Sequence, residues 1–140
     1  MKRFNTKKLL SVIAIAAVTV LMYSFTPKAD QDKWVAPAKY DSMKNPVDAS
    51  DAEDMTVGKN LYMQHCKSCH GKEGLGDGPK SAELSTPSGD FSTSEFHSQS
   101  DGSIFYKIKE GRDDMPSFAK KIPDDDDIWM VVNFIRTMKE

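Results

Sequence analysis

Cysteine is scarce in this chain of 140 residues. There are two, Cys66 and Cys69, and both lie in the stretch "HCKSCHGKEGLGDGP" over residues 65–79. No second C-x-x-C follows, so a closed zinc site that took Cys66, Cys69 and a histidine (His70 or His97) would lack a complete ligand set. Strand-like alternation is also missing. Without a βαβ pattern, the C-x-x-C has no dithiol-redox setting, which wants a strand before it. Acidic residues are absent from residues 1–29, which hold Lys2, Arg3, Lys7, Lys8 and Lys28. The remainder carries 14 of the 19 basic residues and all 21 acidic ones, a balance of −7. An acidic body of that kind does not suit nucleic acid, which attracts basic surfaces, and suits a basic docking patch on a partner protein. No internal repeat is visible, and the only biased tract is Asp124 to Asp127.

What is present begins with an export pattern. The basic start leads into an apolar run from Leu9 to Phe25, 17 residues long. That is long for a signal peptide and short for a membrane span. Residues 1–29 are therefore expected to be a signal peptide or an N-terminal membrane anchor. Either way the rest of the chain is exported to the periplasm, soluble or tethered to the inner membrane.

Residues 30–51 have prolines, many polar residues and no sustained period, and read as a linker or extended arm. Trp34, Val35, Tyr40 and Met43 argue that part of it packs. The domain proper is expected over 52–140, a length at which a large apolar cofactor would help to fill the core. Three helices are expected there, and an all-α fold. The first covers about 54–66, with Val57, Leu61 and Tyr62 on one face. The second covers about 101–110, capped by Ser100 or Asp101 and stopped by Gly111. The third covers about 124–139, where Ile128, Val131, Val132 and Ile135 stand at i, i+3, i+4 and i+7. The aspartates opening it suit the positive end of the helix dipole and read as a capped, solvated start.

With zinc and dithiol chemistry disfavoured, C-x-x-C-H reads as a site of covalent haem attachment. Cys66 and Cys69 would form thioethers to one porphyrin, and His70 would ligate iron. An electron carrier needs a second axial ligand, and methionine thioether is the soft choice. Of eight methionines, Met115 stands apart: it follows Gly111, precedes Pro116 and lies in a loop 45 residues after His70. The other methionines fall in the leader, in the arm or on helices. His65 and His97 read as bystanders.

The blocks "CKSCHGKEGLGDGP", "DGSIFYKIKEGRDDMPSF" and "DDDDIWMVVNFIRTMK" resemble, in order, those of class I c-type cytochromes, over about residues 54–140. The arm, with "KWVAPAKY" and "KNPV", is similar to that of small exported mono-haem cytochromes from Bacteroidetes-type bacteria. The resemblance implies a cytochrome c fold, with three main helices around one covalently bound haem c and its iron. It implies that the first and last helices cross where Gly58 lets the backbones approach, beside Tyr62, Val131 and Phe134. It also implies that the carbonyl of Pro79 accepts the Nδ1 proton of His70. Gly74, Gly76 and Gly78 mimic a dinucleotide fingerprint but lack its strand and helix, and read as a turn against the haem.

The expected function is one-electron transfer in an exported respiratory chain, not enzymatic catalysis. The partners are a redox donor and acceptor, such as a quinol-oxidising complex or a terminal oxidase. Two other readings stand beside it: a haem subunit of a membrane respiratory complex, and a haem enzyme with an open sixth site.

Overall fold

The computed structural model describes residues 33–139. Its helices are α1 (Ala38–Asp41), α2 (Ala52–His65), α3 (Lys67–His70), α4 (Ser94–His97), α5 (Asp101–Glu110) and α6 (Asp125–Arg136), with a 3₁₀ turn over Ser81–Glu83. Among the described residues there is no strand. An isolated bridge joins Arg112 and Met115, so the all-α expectation holds. Val35–Glu140 forms one compact unit. The signal peptide or anchor expected over 1–29 lies outside the described residues. Among those described, no helix is long and apolar enough to cross a membrane.

Side chains set the starts of the three long helices. Asp51 caps α2 by accepting from the amides of Glu53 and Asp54 at 2.8 and 3.1 Å. Ser100, not Asp101, caps α5 through the amide of Ser103 at 3.0 Å. Asp124 caps α6 through the amide of Asp126 at 3.0 Å. Each cap satisfies a donor that the first helical turn leaves without a partner. The aspartate tract is thus a solvated helix start, and Asp125 reaches Lys109 at 2.6 Å on the surface.

α2 and α6 cross at the centre. Tyr62, Ile128, Val131 and Val132 are wholly buried there, and Trp129 and Ile135 nearly so. Each such side chain stabilises the fold by about 1.5–3 kcal/mol through removal of apolar surface from water. Gly58 makes the crossing close: a Cβ at that position would lie 2.1 Å from the Met130 carbonyl oxygen. Tyr62 packs on Phe134 with ring centroids 5.4 Å apart. The crossing that the family resemblance implies is therefore present at the same residues. α5 closes the core from the side, where Phe105 stacks on Trp129 at 4.2 Å.

The segment read as an arm makes contacts with the domain from Ala36 onward, a residue only 5% exposed. Tyr40 meets Tyr106 of α5 at 4.8 Å, and the Ser100 hydroxyl donates to Asp41 at 2.7 Å. The Asn45 amide donates to the Trp129 carbonyl at 3.1 Å and to Asn133 at 2.8 Å, while Asn133 donates to the Val47 carbonyl at 3.2 Å. Asn133 is buried, so this exchange keeps its amide satisfied. Of the apolar residues expected to anchor the arm, Tyr40 does so. Val35 does not, since it is 72% exposed.

Candidate functional site

Cys66 ends α2, its amide bonded to the Tyr62 carbonyl at 2.8 Å, and α3 begins at the next residue. The amides of Cys69 and His70 both return to the Cys66 carbonyl, at 3.1 and 3.0 Å. This turn spaces Cys66, Cys69 and His70 at i, i+3 and i+4, which on a helix is one face. Both thiols are free of disulfide. Cys66 is buried, and its thiol is pushed up to about 12 by desolvation and by the neighbouring Cys69.

The glycine-rich tail wraps the back of this turn. The amide of Gly76 bonds the His70 carbonyl at 2.9 Å, that of Gly78 the Cys69 carbonyl at 3.2 Å, and that of Lys80 the Ser68 carbonyl at 2.8 Å. A Cβ on Gly78 would sit 2.5 Å from the Ser68 carbonyl oxygen, so only glycine allows the loop this close. The tyrosine of the helix crossing joins in, its hydroxyl donating to the Gly71 carbonyl at 2.8 Å.

His70 stacks on Phe91 at 4.6 Å and 30°, and Phe91 stacks in turn on Phe96 at 4.5 Å. Its Nδ1 is buried and forms no hydrogen bond of ordinary geometry. Burial holds its pKa below the usual histidine value, partly opposed by the backbone of Ser88. Pro79 is exposed, between Gly78 and Lys80, whose amides bond the carbonyls of the turn. The backbone that approaches His70 is that of Ser88, in the following loop. Ser88 and Phe91 escaped the sequence reading. The signal was the Pro87–Ser88–Gly89 turn that delivers an aromatic residue, and it is a weak one.

Met115 sits half-buried against the same apolar cluster that includes Cys66 and Phe118. Its loop is tight: Arg112 and Met115 exchange backbone hydrogen bonds at 2.8 and 2.9 Å, and Asp113 takes a φ of +53°. Beyond it, the Phe118 amide returns to the Ile108 carbonyl at 3.2 Å. His65 and His97 are placed elsewhere. His65 packs on Phe118 at 6.0 Å. His97 Nε2 meets the Met138 carbonyl at 2.9 Å, a contact that holds the end of the chain.

A family model described as "Cytochrome C oxidase, cbb3-type, subunit III" matches residues 53–135. The chain belongs to this family of c-type cytochromes. Among solved structures, this cytochrome is similar to a chain of the Kuenenia stuttgartiensis reducing HAO-like protein complex Kustc0457/Kustc0458, at 28% identity and a TM-score of 0.57. That match covers 67% of the cytochrome and 50% of the other chain, so the cytochrome spans half of that relative's length. It is also similar to the KustC0563 c-type cytochrome, at 31% identity over 59% of this chain and 98% of that one, with a TM-score of 0.48. No curated protein matches it.

Membership makes the cytochrome a haem electron-transfer protein with covalently bound haem c and its iron. Its residues fit that group. Two free thiols and an imidazole occupy one turn, the imidazole lies in an aromatic stack, and a thioether sits on a pinned loop against the same cluster.

Proposed function

We propose that this cytochrome is an exported one-electron carrier with six-coordinate haem iron. Cys66 and Cys69 would hold the porphyrin by thioether bonds, and His70 and Met115 would ligate its iron. When bound, the haem supplies reversible Fe(III)/Fe(II) exchange. The protein supplies the rest. Phe91 fixes the plane of the His70 ring, Tyr62 holds the start of the glycine loop, and the 112–115 turn presents the thioether. Thioether favours ferrous iron and raises the potential.

The observation that carries this reading is the tight, doubly bonded turn that ends in Met115. A ligand held by its own backbone keeps the sixth position filled, which suits electron transfer and leaves no site for a substrate. The test is the ferric spectrum of the intact haem protein. A thioether-to-iron charge-transfer band, lost in Met115→Ala, is the expected result. A high-spin wild type would instead support the enzyme reading.

A second reading has its own support. The family description names an oxidase subunit, and the Kuenenia relative is part of a complex. In this reading the cytochrome is a haem subunit of a membrane respiratory assembly, facing the periplasm on an uncleaved leader. Its acidic surface would meet a basic patch on a quinol-oxidising complex or terminal oxidase. Co-purification with such a complex after solubilisation supports the subunit, and recovery as a free protein supports the shuttle. The mass of the native protein reports both the haem and whether residues 1–29 remain.

A further inference from the structure

The loop that carries Met115 and the loop that approaches His70 are far apart in sequence, yet one side chain joins them. A carboxylate oxygen of Asp114 accepts from the amide of Ser85 at 2.7 Å and from that of Thr86 at 3.0 Å. Both bonds have an ionised acceptor, which makes them stronger than neutral ones. On one side of the bracket, six residues after Ser85, stands Phe91, which stacks on His70. On the other side stands Met115, the next residue after Asp114.

The bracket acts on a stiff element. Arg112 and Met115 are bonded to each other in both directions, with Asp113 between them at positive φ. The turn has little freedom of its own, so a shift at Asp114 is passed on to Met115. The neighbouring carboxylate of Asp113 instead pairs with the adjacent Arg112 at 3.1 Å.

We propose that Asp114 is a positioning residue, whose carboxylate clamps the Met115 loop to the Ser85–Thr86 backbone and so keeps the thioether on the iron. This rests on the assignment of Met115 as an axial ligand. Asp114, Ser85 and Thr86 are all exposed, so the clamp contributes little to overall stability. Its effect falls on the population of the state in which Met115 is off the iron. An external ligand that competes for the sixth position reads that population directly, because apparent affinity scales with the fraction of competent state.

The test compares the ferric haem proteins of wild type, Asp114→Ala, Asp114→Asn and Asp113→Asn, titrated with imidazole. Loss of two charge-assisted bonds at an exposed site predicts imidazole binding about five- to tenfold tighter in Asp114→Ala. Asp114→Asn, which keeps an acceptor oxygen without the charge, should lie between that value and wild type. Asp113→Asn should match wild type. Amide exchange at Ser85 and Thr86 should quicken in Asp114→Ala, and the reduction potential should fall as the thioether loosens. The melting temperature should move little, which separates positioning from a general loss of structure. A wild type with the thioether band, beside an Asp114→Ala that binds imidazole within twofold of it, overturns the clamp alone. A wild type without the band overturns the Met115 assignment, and the clamp with it.

Discussion

The α2–α6 crossing and the ligand-bearing loops hold themselves together in different ways. At the crossing, Tyr62, Ile128, Val131 and Val132 are removed from water and two helix backbones touch at Gly58. In the loops over 71–91 and 111–118, backbone hydrogen bonds and single polar brackets do the holding, and much of the surface is open. Burial in the first region is worth many kcal/mol in sum, whereas each bond in the second contributes only about 1 kcal/mol net. The crossing is a scaffold set by its own side chains. The loops need the scaffold on one side and the haem on the other.

The largest test of that contrast removes the haem. A Cys66→Ala, Cys69→Ala double variant should show no cooperative thermal transition by circular dichroism, because a unit of this size without its cofactor has too small a core. A sharp melt would mean that the crossing suffices alone. Next in size is Gly58→Ala. Its new methyl meets backbone, not a movable side chain, so stability should fall by about 2–3 kcal/mol in denaturant titration. Met130→Ala should not restore it, since the clash is with the carbonyl. A smaller loss, about 1–2 kcal/mol, is expected for Asn133→Ala, which takes one of the Asn45 amide's two bonds and the side-chain partner of the Val47 carbonyl.

The smallest effect lies in the aspartate tract. Asp127 has its pKa raised above 3.8 by burial and by repulsion from Asp124 and Asp126. A carboxyl whose pKa is raised by folding costs stability while it is ionised. That cost is present at neutral pH and vanishes as pH falls through the raised value toward 3.8 and below. Asp127→Asn should therefore be slightly more stable than wild type at pH 7. The two should converge near pH 3, as read from urea midpoints.

These differences explain which parts of the molecule could be read from the sequence. The stripe Ile128, Val131, Val132, Ile135 is a local pattern, so α6 was legible to within a few residues. Gly111, Ser100 and Asp124 act within one turn of where they stand, and they too were legible. The C-x-x-C-H turn is self-contained. What escaped depends on contacts between distant residues. Phe91 stacks on His70 from 21 positions away. The link from Asn45 to Asn133 spans 88 positions, and no period or spacing announces either contact. The short helices α1, α3 and α4 are four residues each, too short to show a period at all.

The contact between Gly58 and Met130 also sets a timetable. These residues are 72 positions apart, so the crossing cannot form until almost all of the domain is free to fold. Closing so large a loop costs entropy before any packing repays it, which makes this a late event in folding. Until then α2 has no partner and the Cys66 thiol stands in water. In the folded domain that cysteine is only 7% exposed. Covalent chemistry at Cys66 therefore belongs to the interval before the domain closes, and contacts between residues more than fifty positions apart close the window.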